Sequence, residues 1–142
     1  MPLKLDNEPE LREAKAALFN INSPSGWVLL NYVGPSTVHF SASGEGGPDA
    51  ITPHFEDDQI QYALVRVNAG SGSMDDIRDV FLTWIGPGVG ILEKGNKRAF
   101  EEEAQYYLQP FHGDVTVLNR ANFNMANLLK KSHPLNDSHM ID

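Results

Sequence analysis

The stretch Val80–Gly90, VFLTWIGPGVG, decides the fold, because six strand-favouring residues run directly into a turn of three glycines and one proline. Such a turn either holds a nucleotide phosphate or redirects the chain. A dinucleotide-binding turn has glycines at relative positions one, three and six, whereas the sixth position here is Ile91. A phosphate loop ends in Gly-Lys-Ser/Thr, which GILEKGNK lacks, and the next helix is predicted to begin only at Asn96. We therefore interpret the glycines as a wide turn.

Hydrophobic periodicity on both sides of this turn predicts alternating helices and strands. Strands 27–32 and 79–85 are almost entirely apolar, so both of their faces require cover, whereas strand 59–67 alternates. We predict an α/β (α+β) fold with a single mixed central β-sheet, helices on both faces, and these three strands as neighbours. The full order is helix 6–20, strands 27–32 and 37–43, a helical turn in 50–57, strands 59–67 and 79–85, helix 96–111, strand 114–118 and helix 119–131.

The first and the longest of these helices have a cap residue and an apolar stripe. Asn7 is predicted to cap the opening helix and Asn96 the long one. The stripe of the long helix consists of Phe100, Ala104, Tyr107, Leu108 and Phe111.

The length of 142 residues fits one domain. We assign residues 1–5 to an N-terminal extension, 6–131 to the domain and 132–142 to a flexible, polar C-terminal tail. The chain has no cysteine, which excludes disulfide, thiolate and zinc–sulfur chemistry. It has neither an apolar leader nor a run long enough to cross a bilayer, so we expect a cytoplasmic protein that does not enter membranes.

Charge and motif spacing argue against several classes of function. The formal net charge of −8 does not suit a general nucleic-acid binder. The histidines do not cluster with carboxylates at metal-ligand spacing, and the acidic runs at 56–58 and 75–76 lack the pattern of a calcium loop. The segment 70–75, GSGSMD, lacks the second glycine of a nucleophile elbow. We therefore predict no catalytic residue, no metal and no cofactor.

The order of motifs around the opening stretch is similar to that of a known family. TWIGPGVG follows an apolar strand and precedes a long amphipathic helix, then DVTVLNR and a short last helix; the opening helix leads into GWVLLNY. Over residues 6–131 the chain resembles the actin-depolymerising-factor homology family, and within it the coactosin branch. The resemblance implies the fold of that family and a monomeric, cytoskeletal protein that binds the sides of filamentous actin without catalysis. It also implies contact with other actin regulators, such as severing or capping proteins.

The resemblance also implies which residues contact actin. Aligned on TWIG, Arg78 keeps a basic residue of the coactosins, whereas a second one becomes Asp76. A lysine of the coactosins on the long helix falls at Gln105, beside three glutamates, 101–103. We therefore expect weak binding. The remaining candidate contacts are Lys94, Lys97 and Arg98 at the start of the long helix and Lys130 and Lys131 at the end of the last one. The alternative is that the basic residues of the long helix only solvate it.

Other functions stay open at this point. Residues 1–22 contain no serine or threonine, so the N-terminal phosphorylation switch of many cofilins is absent, which favours the coactosin branch. One alternative within the fold is a protein similar to glia maturation factor, which binds the actin-related branching complex. An alternative of another class is a small α/β enzyme or ligand-binding domain with an unrecognised pocket.

Overall fold

The computed structural model describes residues 2–20, 22–69 and 76–142. Within them the chain forms one seven-stranded mixed sheet and five α-helices. The strands are β1 (Lys4–Leu5), β2 (Gly26–Gly34), β3 (Thr37–Gly44), β4 (Ile60–Asn68), β5 (Ile77–Ile85), β6 (Gly113–Val117) and β7 (Met140–Ile141). The helices are α1 (Glu8–Leu18), α2 (Pro48–Ile51), α3 (Ile91–Arg98), α4 (Glu101–Leu108) and α5 (Met125–Ser132), with 3-10 turns at Thr52–His54 and Arg120–Asn122.

The sheet has an antiparallel centre and parallel edges. Its strand order is β1-β3-β2-β4-β5-β6-β7. The four central strands pair antiparallel, whereas β1 joins β3, β6 joins β5 and β7 joins β6 in parallel. The predicted adjacency of the strands around residues 27–32, 59–67 and 79–85 is thus confirmed, because β2, β4 and β5 are consecutive.

Each face of the sheet has its own hydrophobic core, as the mixed sheet with helices on both faces requires. On one face Trp84 and Leu82 pack with Phe123 and Leu128, from the segment that includes α5. On the other face the core combines strand residues with side chains of α1 and α4; its members include Val28, Leu30, Tyr62, Leu64, Phe81, Leu11, Leu18, Ala104 and Leu108. The predicted stripes of the opening and long helices therefore face the sheet.

Two polar groups stabilise the centre of the sheet from inside. Gln61 is fully buried and donates through Nε2 to Asn31 Oδ1 at 2.8 Å. Arg66 of β4 binds Asp79 of β5 through two hydrogen bonds, Nε to Oδ1 at 2.8 Å and Nη2 to Oδ2 at 3.0 Å. Because both charges are buried, the bidentate pair avoids the cost of an isolated buried ion and fixes the pairing of the two strands.

The glycine-containing turn packs against the segment before β4. The backbone N–H of Gly86 donates to Gln59 O at 2.9 Å, and that of Gly88 donates to Asp57 O at 2.8 Å. A Cβ at Gly86 would overlap the backbone of Asp57. Protein carbonyls thus accept the hydrogen bonds of these two amides, which agrees with the interpretation as a structural turn.

The long helix differs from its prediction at both its start and its middle. Gly90 is the N-cap of α3, so the helix begins directly after the glycines and the predicted start at Asn96 is wrong. Asn96 is an interior residue of α3, and a break at Ala99 and Phe100 separates α3 from α4. The physical reason is that Ile91 and Leu92 are exposed, so the helix starts without the apolar stripe from which its start was predicted.

The two ends of the chain add edge strands to the sheet. Residues 1–5, assigned to an extension, provide β1, and Leu3 is 2% exposed. Residues 132–142, assigned to a tail, provide β7, whose Ile141 is 2% exposed and lies in the core with Leu128. The segment is mostly polar and therefore predicts a tail, but its one buried apolar residue, Ile141, packs in the core. The glycines and serines of segment 68–76 predict a flexible loop between two strands, and this segment falls largely on residues 70–75, outside the described residues.

The opening helix begins after Asn7, as predicted, but the Asn7 side chain makes no cap hydrogen bond. It binds the edge of β3 instead: Nδ2 donates to Phe40 O at 3.0 Å and Oδ1 accepts from Phe40 N at 2.8 Å.

No helix among the described residues has both the length and the apolar character needed to cross a membrane.

Candidate functional site

Helix α3 presents an exposed apolar pair beside exposed cations. Ile91 is 87% exposed and Leu92 is 83% exposed, and no residue of α3 is buried. Lys94 and Arg98 follow on the next turns and are also exposed. A helix that leaves two large apolar side chains in water gains no folding stability from them, so this end of α3 is a candidate contact surface.

The three cations predicted on this helix differ in their surroundings. Lys97 donates to Glu93 Oε2 at 2.7 Å, and its side chain is only 13% exposed. Its Nζ also lies 4.0 Å from the ring centroid of Tyr32, close enough for a cation–π interaction. The side chains of Lys94 and Arg98 have no ion-pair or hydrogen-bond partner among the residues that the structure describes. Lys97 is therefore held by the fold, and Lys94 and Arg98 are available to a partner.

A buried tyrosine pair lies beneath this helix. Tyr32 and Tyr62 share a hydroxyl–hydroxyl hydrogen bond of 2.7 Å. Burial raises the pKa of Tyr32 to about 12, and burial also raises the pKa of Tyr62. Both phenols are therefore neutral at physiological pH, and the charge of this surface comes from α3.

Arg78 is partly enclosed by α5. It is half-buried and donates through Nη1 to Leu129 O at 2.9 Å and to Ser132 Oγ at 3.3 Å. A position directly before the predicted strand 79–85 favours an exposed Arg78. This prediction is wrong, because β5 begins at Ile77 and Arg78 lies half-buried inside the strand. The guanidinium satisfies carbonyl and hydroxyl oxygens at the C-terminal end of α5, where the helix dipole favours a cation.

The fold brings Arg78 together with the basic end of the last helix. Leu129 and Ser132, which accept its hydrogen bonds, flank Lys130 and Lys131 in the sequence. Lys130 is exposed and Lys131 is half-buried. We call Arg78, Lys130 and Lys131 the α5 basic end. The neighbouring Asp76 is half-buried, and its carbonyl accepts from Ala69 N at 2.8 Å, which closes the β4–β5 connection.

Helix α4 carries the acidic residues and Gln105. Glu101 accepts a hydrogen bond from Thr83 Oγ1 at 3.2 Å, and Glu103 accepts from Leu3 N at 2.7 Å. Glu102 is exposed and Gln105 is half-buried. A run of three glutamates on a helix is typical of a solvated face, and for Glu101 this interpretation is wrong. Two of the three glutamates hold the helix against other elements.

Sequence reasoning missed Ile91 and Leu92 as candidate contact residues. The sequence does contain an indication of them, since two large apolar residues directly follow the last glycine of the turn. A predicted helix start at Asn96 places both residues in the turn. In the described ranges, no group of three or more histidine or carboxylate side chains has a geometry suited to a metal ion.

The sequence matches the family described as cofilin/tropomyosin-type actin-binding protein over residues 4–133. Coactosin of Dictyostelium discoideum is 24% identical over 123 residues, which cover 86% of this chain and 84% of that protein.

Solved structures of coactosins have the same fold. A crystal structure of human coactosin-like protein has a TM-score of 0.74 at 22% identity and covers 87% of this chain and 92% of that one. The solution structure of mouse coactosin, described as an actin filament binding protein, has a TM-score of 0.72 at 23% identity and covers 96% of both chains. The coactosin of Entamoeba histolytica has a TM-score of 0.71 at 16% identity, covering 89% of this chain and 91% of that one. The resemblance drawn from the TWIG motif and the order of elements is thus confirmed.

Proposed function

Because the chain belongs to the cofilin/tropomyosin-type actin-binding protein family, we propose that it is a coactosin-type module that binds the sides of actin filaments without catalysis. Actin binding follows from the family, and the description of mouse coactosin as an actin filament binding protein supports the filament as the form that is bound. An association with the cytoskeleton in the cytoplasm follows from the same reasoning, and the proposal takes the protein as a monomer.

The observation that carries the proposal is the surface of α3 formed by Ile91, Leu92, Lys94 and Arg98, which we call the α3 surface. Its apolar pair offers area that a partner can remove from water, and full burial of one such side chain contributes about 1.5–3 kcal/mol. Its two unpaired cations suit carboxylates at the rim of a contact. A protein partner with an apolar recess and an acidic border fits this combination better than a small polar ligand does.

The α5 basic end is a second contact in the proposal. Lys130 is exposed at the C-terminal end of α5, and Arg78 fixes that end through its bonds to Leu129 and Ser132. We assign to Arg78 a positioning role, in which it holds the helix that presents Lys130 and Lys131. Asp76 directly precedes β5, at the end of the β4–β5 connection, and its negative charge would repel an acidic filament.

The binding is weak in this proposal, for two reasons. Gln105 replaces a lysine of the coactosins, so one favourable charge is missing from α4. The net charge of −8 also repels an acidic filament within roughly a 10 Å Debye length at 0.1 M salt. Affinity therefore depends on the two local basic surfaces and on the apolar pair.

Co-sedimentation with purified actin filaments at several salt concentrations tests the proposal. We expect the parent protein to pellet with filaments, and the double variant Lys94→Gln/Arg98→Gln to lose most of this binding. Arg12→Gln is the matched control, because Arg12 is an exposed cation on α1. If the parent stays in the supernatant at every salt concentration, the function is not filament binding. Retention only in the presence of the branching complex would favour the glia-maturation-factor alternative.

A further inference from the structure

A groove of about 490 Å³ lies between α3 and the outer strands of the sheet. It exists because α4 packs on β4 and β5, whereas the core on this face contains no described residue of β6 or β7. Its volume lies in the range of small-molecule sites, roughly 300–1,000 Å³. The lining residues on which the inference rests are Ile60, Ile85, Thr116, Met140, Lys94 and Arg98.

The floor and outer wall of the groove are largely apolar. Ile60 is buried in the floor, and Ile85 lies half-buried beside it at the end of β5. Met140 of β7 forms part of the outer wall and is 43% exposed. An apolar chain that covers these side chains would remove surface from water that the fold itself leaves wet.

The inner wall carries two cations without partners. Lys94 and Arg98 are four residues apart on α3, so their side chains are neighbours on one face and repel each other. Lys97, on the same helix, is already paired with Glu93, and the Tyr62 side chain that also lines the groove is a neutral phenol. A single anion near Lys94 and Arg98 would relieve this repulsion and gain charge-assisted hydrogen bonds.

We propose that this groove binds a small amphiphilic carboxylate, with its apolar chain over Ile60, Ile85 and Met140 and its carboxylate at Lys94 and Arg98. The carboxylate of Glu101 also lines the groove, which disfavours a doubly charged phosphate relative to a monoanion. The net charge of −8 disfavours approach to an anionic bilayer, so the ligand is a free molecule in solution and not a lipid headgroup.

The groove and the α3 surface share Ile91, Lys94 and Arg98. A bound carboxylate would occupy the cations that the proposed filament contact uses. We therefore infer competition between the ligand and actin filaments, and this competition, unlike the groove's own binding, rests on the proposed function.

Titration calorimetry with decanoate tests the groove, with decan-1-ol, decyl phosphate and phosphatidylserine vesicles as comparison probes. We expect decanoate to bind with one-to-one stoichiometry and to shift the methyl NMR signals of Ile85 and Met140. Loss of the carboxylate in decan-1-ol should weaken binding by about tenfold or more, as expected for a lost charged hydrogen bond. Absence of decanoate binding, or tighter binding to the vesicles or the phosphate, would overturn the proposal.

Variants locate the ligand. Lys94→Gln/Arg98→Gln should weaken decanoate binding by about tenfold, and Thr116→Trp should block the chain without removing a charge. Arg12→Gln is the matched control and should bind decanoate as the parent does. Unchanged affinity in the Lys94→Gln/Arg98→Gln variant would place the ligand elsewhere and refute the site.

The two proposals fail in different ways. If decanoate binds in the groove but the parent does not sediment with filaments, only the filament function fails. If filaments bind but decanoate does not, only the groove proposal fails. If both bind and decanoate does not release filaments, the inferred competition is wrong.

Discussion

At the scale of single residues, the role of a cation in this protein follows from its partners. Lys97 and Arg78 are both held by the fold, through Glu93 and through the end of α5 respectively. Lys94 and Arg98 lack such partners among the described residues, so their charges act outward. The family alignment favours Arg78 and leaves the other three as further candidates, whereas their contacts show which cations are held and which are unpaired.

Arg78→Ala should destabilise the fold. The substitution removes the hydrogen bonds to Leu129 O and Ser132 Oγ and leaves these acceptors without the guanidinium. The free energy of unfolding, measured by urea denaturation, should fall by about 1–3 kcal/mol. Arg78→Lys is the control that keeps the charge. Equal unfolding midpoints for the parent and Arg78→Ala would show that these hydrogen bonds contribute nothing.

Gln105→Lys should tighten filament binding. The substitution restores a cation at the position of the family lysine, and the half-buried site allows the lysine stem to lie along α4 while the amine reaches water. The gain should be largest at low salt, where charges are least screened. Gln105→Met is the neutral control in the same co-sedimentation assay. An equal gain in both variants would attribute the effect to apolar contact instead of charge.

At the scale of elements, the start of α3 and the whole of β7 are regular structure that the sequence predicts as irregular. The start of α3 was assigned to a turn although it forms a helix, and β7 was assigned to a tail although it extends the sheet. Exposed apolar residues in α3 weaken the periodic signal of a helix, and a strand of two residues has no periodic signal at all. Each element is short and depends on a neighbour for its stability.

Ile91→Ser/Leu92→Ser should weaken filament binding without lowering the melting temperature. The two side chains are 87% and 83% exposed, so the folded state loses no packing. If a filament buries them, the affinity should fall by about tenfold or more, given roughly 1.5–3 kcal/mol for each fully buried side chain. Co-sedimentation and thermal melting are measured on the same samples. Unaltered binding would exclude the apolar pair from the filament contact.

Ile141→Ala should destabilise the fold, because Ile141 is 2% exposed and packs in the core with Leu128. Truncation of such a residue costs about 2–5 kcal/mol in the free energy of unfolding. Met140→Ala on the same strand is the control, since Met140 is 43% exposed, and it should cost clearly less. Chemical denaturation of both variants gives the comparison. A cost for Ile141→Ala no larger than that for Met140→Ala would mean that β7 does not stabilise the domain.

At the scale of the whole molecule, an acidic protein is proposed to bind an acidic filament through local basic surfaces. The net charge of −8 includes Glu102, which is exposed on α4, directly after the α3 surface. Repulsion from this region opposes deep insertion of the long helix into actin. Side binding through α3 and the α5 basic end does not require such insertion.

The protein should therefore decorate filaments without shortening them. In a microscopy assay of single filaments, filament length and the number of ends should stay constant after its addition. A cofilin that shortens filaments in the same assay is the positive control. Shortening by this protein at a rate comparable to that of the cofilin would refute side binding without severing.

The sequence alone determined the fold class, the neighbouring central strands and the family. Strands 27–32, 59–67 and 79–85 each have an apolar pattern that predicts a strand. The TWIG motif and the glycines after it identify the family, and with it the arrangement of these strands. The tertiary structure alone decided which cations are free, because pairs such as Lys97 with the Tyr32 ring and Arg78 with Leu129 join residues far apart in the chain. Hydrophobic periodicity compares residues that are close together in the chain, so it does not predict such contacts. They form only when packing brings distant elements together.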